Sequence, residues 1–574
     1  MSEDLQPPSG GSAPLPGERA GAWVREHAAL VLFAVLLLIV LPMRDLWAPD
    51  EPDFAQCVKE MQLRGTWLMP WLNGLPYDEK PILYYWVMKG SNGAMNFLTG
   101  GLGFSHGLAA WALRLPSVVA SLAFLHAYQK WAKRFLQAGV ARLALMILAT
   151  SPLWFWQSQF IQIDLLFSVL LAWAWFCWLG GYLVEQGLQS ELRAGEAGRW
   201  FHKAYFWLAL AFLAKGPLAG VLSVLVLGAF LLWQRDARIL LRMRLGTGVL
   251  LFLAVVLPWY VAAGIQGGGH YVYQLLIHQN FERATKAWDH IQPWWRYLEY
   301  LLGDFFPWVL LVPALGFFLR GSGATRNVTA RFLMVAFAVP FLFLSWVQSK
   351  QGKYLLPSYP FLALLMASML QPLSVEGVSP ARIRRLGGVL AVGVGLLGLV
   401  LLTVAFGAGG AGVQAQVAPY RALAGTLGAI ATLGGLSLTG RALSGGGQHL
   451  VRETALTLGL IFLVGGTWGF RKLDPQKNFF EWSRQVQPLI QGRKVVYWQT
   501  IRSGAMVYTD SLMPEVRTAA ELDQLGPEDR LVSMRREWDQ DMGGLTPELR
   551  ATFEVLLSRP TGGGELLLLQ RKAR

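Results

Sequence analysis

The chain has 574 residues, of which 54% are hydrophobic and only 15% are charged, and its mean hydropathy is +0.38. Soluble domains carry roughly a quarter charged residues, so this composition excludes an ordinary soluble protein and indicates a chain that lipid solvates. The net charge of +14 does not indicate nucleic-acid binding, because Lys and Arg cluster in short segments between apolar runs, as in membrane proteins. The two cysteines, Cys57 and Cys177, provide neither a disulfide framework nor a Cys-based metal site.

The N-terminal segment precedes the first apolar run. Residues 1–21 are rich in Pro, Gly and Ser, a composition that buries too little apolar surface to fold, so we predict a disordered cytoplasmic segment over 1–27. No small-residue cleavage site follows the apolar run 28–43. We therefore interpret this run as a retained helix rather than a removed signal peptide.

Apolar stretches recur along most of the chain, and thirteen of them are predicted to be transmembrane helices, although the fifth is short for a span of roughly 20 residues. The predicted spans are 28–43, 107–127, 138–154, 165–184, 204–214, 217–234, 246–264, 299–319, 330–347, 355–371, 386–407, 420–440 and 453–470. With the N-terminus inside, every cytoplasmic connection is basic, as the positive-inside rule requires. The odd number of spans places the C-terminal segment outside.

These spans predict an all-α polytopic membrane protein with a small extracytoplasmic domain. We expect a catalytic transmembrane module over 28–370, with long outside loops at 44–106 and 265–298. Additional transmembrane helices follow over 371–470, where Gly-rich spans predict close helix packing.

The C-terminal segment 471–574 is less apolar than the rest of the chain. It alternates strand-like runs at 494–498 and 564–570 with a helical stretch at 546–559. This alternation predicts a small α/β domain outside the membrane.

Several charged residues lie on the predicted outside, at or near the ends of spans, where the orientation rule does not account for the cations. The cations are Lys80, Lys215, Arg283, Lys350 and Lys353, and the acids are Asp50, Glu51, Asp78, Glu79 and Asp164. Acids at a membrane boundary are costly unless they are paired or hydrated. We therefore expect the chemistry on this side.

Asp50 and Glu51 begin a predicted amphipathic helix that lies on the membrane, with Phe54, Val58 and Met61 on one face. Asp50 before Pro is also a favourable helix cap, which is the structural alternative to a catalytic role. A cap, however, does not require a second carboxylate at the next position.

The other charged residues have structural alternatives as well. Asp164 suits either a helix N-terminus or a second carboxylate that faces Asp50. Lys215 either snorkels to the interface or binds an anion, and Arg114 either pairs with a buried acid or contacts a phosphate. A lone histidine is more often structural than catalytic, so a structural role is the alternative for His278.

One reaction would use all of these groups. Glycosyl transfer from a lipid phosphate needs a carboxylate that accepts a proton from the acceptor nucleophile. It also needs cations that hold the departing phosphate as negative charge develops on it.

The motifs of this region resemble a known family. They are W-A-P-D-E-P at 47–52, Glu60-Met61, Gly65-Thr66-Trp67, Pro70, Asn73-Gly74, Glu79-Lys80-Pro81, Tyr85-Trp86, R-L-P-S at 114–117, Asp164, K-G-P at 215–217 and Ser349-Lys350 through Pro360. In this order they resemble the bacterial lipid A aminoarabinose transferases, within the protein O-mannosyltransferase superfamily. The resemblance covers about residues 28–370. Asp53-Phe54, Asp78 and Ile82 differ from the residues that this family usually carries.

The resemblance implies a C-type glycosyltransferase (GT-C) fold with an outside cavity, an undecaprenyl-phosphate sugar donor and an inverting transfer that needs no metal or other cofactor. It implies that Asp50 is the base, that Asp164 is a second essential acid, and that Lys80, Lys353 and Tyr354 surround the donor phosphate. With the residues considered above, the predicted catalytic set is Asp50, Glu51 and Asp164, and the predicted phosphate-binding set is Lys80, Arg114, Lys215, Arg283, Lys353 and Tyr354. Further candidates for the site are Tyr77, Glu79, His278 and Lys350.

The sequence therefore predicts a multi-pass inner-membrane glycosyltransferase with an extracytoplasmic site, which transfers a sugar from a polyprenyl phosphate to a glycolipid or a protein hydroxyl. A transporter or flippase of lipid-linked sugars is the main alternative. Transporters favour charges at the middle of the membrane and internal repeats, whereas these charges lie at span ends and no repeat is visible. An enzyme relic with a binding module is a third alternative, against which the intact acids and lysines argue.

Overall fold

The computed structural model describes residues 16–100, 109–188, 194–282, 290–321, 323, 326–374, 379–407, 411–499, 503–562 and 564–572. The protein is mostly helical, with a helical bundle that is followed by a small α/β domain. In the bundle and the first loop the helices are α1 (Pro16–Val40), α2 (Asp50–Leu63), α3 (Leu83–Thr99), α4 (Ala110–Phe135), α5 (Ala138–Ala149), α6 (Pro152–Ser158), α7 (Ile163–Glu185), α8 (Ala197–Lys215), α9 (Leu218–Gln234), α10 (Ile239–Arg242), α11 (Leu245–Tyr273), α12 (Arg296–Asp304), α13 (Val312–Gly321), α14 (Val328–Trp346), α15 (Tyr359–Leu370), α16 (Pro380–Ala405), α17 (Ala411–Val417), α18 (Arg421–Leu443), α19 (Leu450–Val464) and α20 (Phe470–Lys477).

The helices agree with the predicted spans in position. Among the described residues, eight helices are long and apolar enough to cross a membrane, and the number rises to ten if each of two bent pairs, α5–α6 and α12–α13, is one span. Shorter apolar helices occur at His27–Val40 and Leu218–Gln234. The prediction of a polytopic helical membrane protein is confirmed, while the count of thirteen spans stays a prediction.

The N-terminal prediction needs a correction. Helix α1 begins at Pro16, so residues 16–27, which the composition assigns to the disordered segment, are helical. The helix reaches upstream because Glu18, Arg19 and Ala20 are good helix formers that continue into the apolar run. Residues 1–15 lie outside the described part of the chain.

Aromatic packing holds the bundle together around α7, most of which is buried. Phe176 on α7 stacks on Phe361 with ring centroids 4.5 Å apart, and it contacts Trp131 of α4 at 4.7 Å. Such ring pairs add to the burial of apolar area. Helix α7 is therefore fixed in position, and Asp164 in its first turn is fixed with it.

Glycines bring α16 and α18 into close contact, as predicted for the Gly-rich spans. A Cβ atom on Gly398 would lie 2.4 Å from the backbone nitrogen of Thr432, and one on Gly428 would lie 2.9 Å from that of Leu402. Only residues without a side chain allow two helix backbones to approach this closely.

The C-terminal domain contains a five-stranded sheet. Its strands and helices are α21 (Phe480–Ile490), β3 (Val495–Trp498), α22 (Ser503–Val507), β4 (Glu515–Val516), α23 (Ala519–Asp523), β5 (Arg530–Met534), α24 (Arg535–Asp539), α25 (Pro547–Ala551), β6 (Phe553–Thr561) and β7 (Gly564–Arg571). The strand order in the sheet is β4-β3-β5-β7-β6. Strand β3 pairs in parallel with β4 and β5, whereas β7 pairs antiparallel with β5 and β6. A second sheet, in the first loop, consists of β1 (Trp71–Leu72) and β2 (Leu75–Pro76).

The helix predicted over 546–559 is only partly correct. Helix α25 ends at Ala551, and the chain continues as strand β6. Leu and Glu in this segment favour a helix locally, but pairing with β7 along most of the segment overrides that preference, because strand formation depends on cross-strand packing.

We predicted that helix α2 presents its apolar face to the membrane surface, and this prediction is wrong. Phe54, Val58 and Met61 are buried, and the Phe54 ring packs against Tyr84 and Tyr85 of α3 at centroid distances of 5.4 and 5.6 Å. The C-terminal domain also contacts α2. Lys59 Nζ donates to the Val507 carbonyl at 2.6 Å. These contacts fix the position of α2, whose first residue is Asp50.

Two reciprocal hydrogen bonds attach the β1–β2 turn to the same domain. The Asn73 side chain donates to the Met513 carbonyl and accepts from the Met513 amide, at 2.9 Å in each case.

Candidate active site

Four charged residues from separate segments meet in one cluster, which we call the carboxylate–lysine cluster: Asp50, Asp164, Lys215 and Lys353. Asp50 is the first residue of α2, Asp164 is in the first turn of α7, and Lys215 is the last residue of α8. Lys353 is in the 3-10 helix Gly352–Ser358, which leads into α15. The structure thus brings together four residues that the sequence assigned to one site.

Lys353 joins the two carboxylates. Its Nζ is 2.9 Å from Asp50 Oδ2 and 3.7 Å from Asp164 Oδ2. An ammonium group between two carboxylates lowers their mutual repulsion. Lys353 is therefore the positive charge that offsets the repulsion between the two acids.

Asp50 does not cap α2. The residue at the cap position is Pro49, and no side-chain hydrogen bond caps the helix. Instead, Asp50 Oδ2 accepts hydrogen bonds from Gln162 Nε2 at 2.5 Å and from Lys353 Nζ. Its side chain is 32% exposed, and Oδ1 receives no hydrogen bond from the described residues. Asp50 thus presents one carboxylate oxygen that an incoming substrate can reach.

Asp164 has a different environment from Asp50. It is buried, with 4% of its surface exposed, and Lys215 donates a hydrogen bond to its Oδ1. Helix α7 begins after Gln162 without a side-chain cap, so Asp164 does not cap this helix. Its carboxylate instead holds Lys215 and Lys353 in place.

An aromatic ring completes the contacts of Lys215. Its Nζ lies 4.4 Å from the ring centroid of Tyr354, within the range of a cation–π interaction. Tyr354 follows Lys353 directly, so one turn supplies both a cation and an aromatic face to the cluster.

The loop before α3 adds a third lysine. Lys80 lies close enough to Asp164 to interact electrostatically with it, and its Nζ is 3.3 Å from the Glu79 carbonyl oxygen. Tyr77 Oη donates to Glu79 Oε2 at 3.0 Å. Tyr77 and Glu79 therefore stabilise the loop beside the cluster.

Glu51 has a structural role and not the catalytic one that we predicted. It is completely buried, and six hydrogen bonds converge on its two oxygens. They come from the Arg44 guanidinium, the Arg114 guanidinium, and the Trp47 and Ile161 amides. Burial alone would raise the pKa of Glu51, but the charges of Arg114 and Arg44 outweigh it and lower the pKa to about 2.

Arg114 likewise cannot bind the donor phosphate as predicted. It is fully buried and donates from Nε and Nη2 to Glu51, from Nη1 to the Arg44 carbonyl at 2.8 Å, and from Nη2 to the Asp45 carbonyl at 2.6 Å. Each nitrogen of its guanidinium therefore has a protein acceptor. The alternative that it pairs with a buried acid is correct.

Arg44 is the residue that sequence reasoning missed in this ion pair. It follows the first span on the predicted outside, where a cation departs from the positive-inside rule, and that departure was the available signal. Gln162, which contacts Asp50, was also missed, and its sequence context carries no such signal.

Two predicted site residues lie apart from the carboxylate–lysine cluster, and a third is outside the described residues. Lys350 is buried and donates to the backbone carbonyls of Gln292 and Val347, and this burial lowers its pKa. His278 lies near Asp78. Burial raises the pKa of Asp78, and the nearby His270 and His278 offset part of that rise. Arg283 is outside the described residues.

Metal binding by side chains finds no support in the described part of the chain. There, no group of three or more His, Cys, Asp or Glu residues has an arrangement that could hold a metal ion. Independence from metal stays a prediction.

Residues 80–261 match the family described as dolichyl-phosphate-mannose-protein mannosyltransferase. An undecaprenyl phosphate-alpha-4-amino-4-deoxy-L-arabinose arabinosyl transferase of Pectobacterium carotovorum is 30% identical over 491 residues, which are 82% of this chain and 81% of that protein. A relative of the same name from Pseudomonas fluorescens is 30% identical over 382 residues. That alignment spans 65% of this chain and 64% of the relative, just under two thirds of its length.

The solved structure of ArnT from Cupriavidus metallidurans bound to undecaprenyl phosphate has a TM-score of 0.76 to this chain at 20% identity. The alignment covers 96% of this chain and 98% of that one. The helical bundle, its C-terminal domain and the cluster at the helix ends define a membrane glycosyltransferase fold of the C type. The chain belongs to the family of undecaprenyl phosphate-aminoarabinose arabinosyl transferases, which confirms the resemblance seen in the first-loop motifs.

Proposed function

We propose that this protein transfers a sugar from undecaprenyl phosphate to an envelope glycolipid, at the extracytoplasmic face of the inner membrane. The carboxylate–lysine cluster is the observation that carries this proposal. It combines one accessible carboxylate with lysines that suit a phosphate, which are the two requirements of the reaction.

Asp50 is the general base of the proposed reaction. Its Oδ1 accepts the proton of the acceptor nucleophile, whose oxygen attacks the anomeric carbon on the side opposite the phosphate. The bond between that carbon and the phosphate oxygen breaks, and the configuration inverts. The products are the glycosylated acceptor and undecaprenyl phosphate.

The lysines stabilise the leaving group. The diester phosphate of the donor carries one negative charge, and the departing monoester carries nearly two. Cations beside this phosphate therefore bind the transition state more strongly than the bound donor, which lowers the barrier. Lys353 is suited to this role because a phosphate oxygen can share its ammonium with Asp50, and Lys80 and Lys215 add positive charge nearby.

Asp164 is the positioning residue of the cluster. It contacts Lys215 and Lys353 from a buried site, so it keeps both ammonium groups directed at the phosphate. The placement of these charges at helix ends rather than in the middle of spans supports the transferase over a transporter.

The relatives' names make undecaprenyl phosphate-4-amino-4-deoxy-L-arabinose the first donor to test, and the resemblance of the first-loop motifs to lipid A aminoarabinose transferases makes lipid A the first acceptor. The purified full-length protein is incubated with both in detergent, and mass spectrometry follows glycosylated lipid A and released undecaprenyl phosphate. Replacement of a general base costs roughly 10²–10⁴ in rate, so Asp50→Asn should reduce product formation by that factor. Asp523→Asn, a surface aspartate paired with Arg571, is the matched control and should retain activity.

Two results would contradict the proposed function. One is product formation by Asp50→Asn at the wild-type rate. The other is movement of intact lipid-linked sugar across a vesicle bilayer without any release of undecaprenyl phosphate, which would establish the transporter. Mass spectrometry of envelope glycans from a deletion strain identifies the natural sugar and acceptor.

A further inference from the structure

A cavity of about 550 Å³ lies between the C-terminal domain and the first turn of α2. Pro49, Pro52 and Asp53 line it on one side, and these residues flank Asp50 in the same turn. The C-terminal domain forms the other side. Its volume falls in the range of small-ligand sites, roughly 300–1,000 Å³.

Among the described residues, the Ser503 hydroxyl in the cavity wall has no hydrogen-bond partner. Ser503 lines the cavity and is 2% exposed, yet its hydroxyl oxygen makes no hydrogen bond to any described residue. A buried hydroxyl without a partner costs about 1–3 kcal/mol, and such groups are rare in folded proteins. A ligand that reaches this wall would supply the missing hydrogen bond.

Glycines shape the same wall. A Cβ atom on Gly504 or Gly562 would lie about 2 Å from the Phe479 ring, at 2.1 and 2.2 Å respectively, and one on Gly564 would lie 2.3 Å from Met534. All five of these residues line the cavity. The cavity therefore has an apolar wall of Phe479 and Met534, and the position of the Phe479 ring requires glycine at 504 and 562.

The charges around the cavity indicate its ligand. Lys477 and Arg536 provide donors and Asp53 and Glu537 provide acceptors, whereas Glu565 is already paired with Arg535. The two acids and two bases that remain balance each other, which does not favour a bare anion. Sugar hydroxyl groups both donate and accept hydrogen bonds, so this mixture, together with the apolar wall, suits a saccharide.

We propose that this cavity binds the saccharide head group of the acceptor glycolipid and directs it to Asp50. This inference rests on the proposed function, because it assigns the acceptor side of the same site. In the proposed reaction the donor phosphate lies against Lys353, which contacts Asp50 from the bundle, so the acceptor approaches from the side of the C-terminal domain. A protein acceptor suits the cavity less well, since peptides bind along grooves or sheet edges.

Exposed lining residues of the C-terminal domain allow a test that leaves the fold intact. Arg536 and Gln540 are both exposed, so we expect the double variant Arg536→Ala/Gln540→Ala to fold normally. Its KM for lipid A should rise at least about tenfold, as expected for the loss of one charged hydrogen bond. Its KM for the donor and its kcat at saturating lipid A should stay at the wild-type values. Arg484→Ala, on an exposed helix of the same domain, is the matched control.

A binding measurement without turnover separates this inference from the proposed function. Binding of short-chain lipid A to full-length Asp50→Asn protein is measured in detergent, with and without Arg536→Ala/Gln540→Ala. Weaker binding in the combined variant supports the cavity even if no transfer is detected with any donor. Unchanged lipid A affinity and KM would overturn the inference and leave the transferase proposal intact. Binding of a serine-containing acceptor peptide that the same substitutions weaken, without an effect on lipid A, would also overturn it, in favour of a protein acceptor.

Discussion

Asp50 and Glu51 are adjacent carboxylates with opposite predicted responses to amidation. Asp50→Asn should abolish transfer and leave stability unchanged, because one oxygen of this carboxylate is open to the surface. Glu51→Gln should instead destabilise the protein, because Arg44 and Arg114 would stay buried with no counter-charge. This contrast tests whether the structure assigns the two neighbours correctly.

The magnitude for Glu51 follows from its contacts. Its pKa of about 2 lies below its ordinary value of 4.5, and since one pKa unit is about 1.4 kcal/mol, the ion pairs contribute on the order of 3 kcal/mol. Loss of one partner from a buried ion pair independently costs about 3–5 kcal/mol. Because the folded pKa is the lower one, this stability is fully present above about pH 4.5 and is lost as the pH falls toward 2.

Thermal unfolding in detergent, followed by tryptophan fluorescence at pH 7, measures this effect. Glu51→Gln should lower the midpoint by several degrees, since about 1 kcal/mol corresponds to roughly 2–4 °C in larger domains. Glu481→Gln, in a surface ion pair with Arg484, is the control and should change it little. A Glu51→Gln protein with the wild-type midpoint but no activity would refute the structural role and return Glu51 to the catalytic set.

The other predictions concern the cluster, the domain contact and the topology. Lys353→Met should lower kcat/KM by about 10–100-fold, since a charge-assisted contact contributes about 1.5–3 kcal/mol. Lys350→Met is the control, because Lys350 is bound to backbone carbonyls, and it should leave kcat/KM unchanged. Equal effects of the two substitutions would contradict the assignment of Lys353. Tyr508→Phe removes the hydrogen bond that the Tyr508 hydroxyl donates to Asp45, so hydrogen exchange at α22 should become faster, and unchanged exchange would show that this contact does not hold the domain. Single cysteines at Leu75 and Arg238, both exposed, test orientation with an impermeant thiol reagent in intact cells. Labelling at 75 but not at 238 is expected, and labelling at 238 alone would reverse the topology.

The sequence was sufficient for the features that depend on local patterns. Hydrophobic run length located the helices of the bundle, because a span must satisfy its own backbone within lipid. Cations that depart from the orientation rule pointed to Lys215 and Lys353, and the cost of an acid at a membrane boundary pointed to Asp164. The structure brings these three residues together with Asp50. The Gly-rich runs predicted the close contact of α16 and α18, since only small residues allow it.

Other features depend on contacts between distant segments, and the sequence could not supply them. Whether α2 faces lipid or protein depends on α3, whose Tyr84 and Tyr85 rings pack on Phe54, and on the C-terminal domain, whose Val507 carbonyl accepts from Lys59. Whether 553–561 is helix or strand depends on its pairing with β7. In both cases a local preference competes with tertiary packing, and packing prevails.

The adjacent residues Asp50 and Glu51 show most clearly what the sequence determined and what only the tertiary structure decided. The sequence determined that two acids begin a helix outside the membrane, because the apolar run before them ends and Pro52 favours a helix start. Only the tertiary structure decided which acid is accessible. Successive residues on a helix point about 100° apart, so Asp50 faces Gln162 and Lys353, while Glu51 faces Arg44, Arg114 and the Ile161 amide. Those partners are up to 303 residues away in the chain, and no local pattern encodes such a contact.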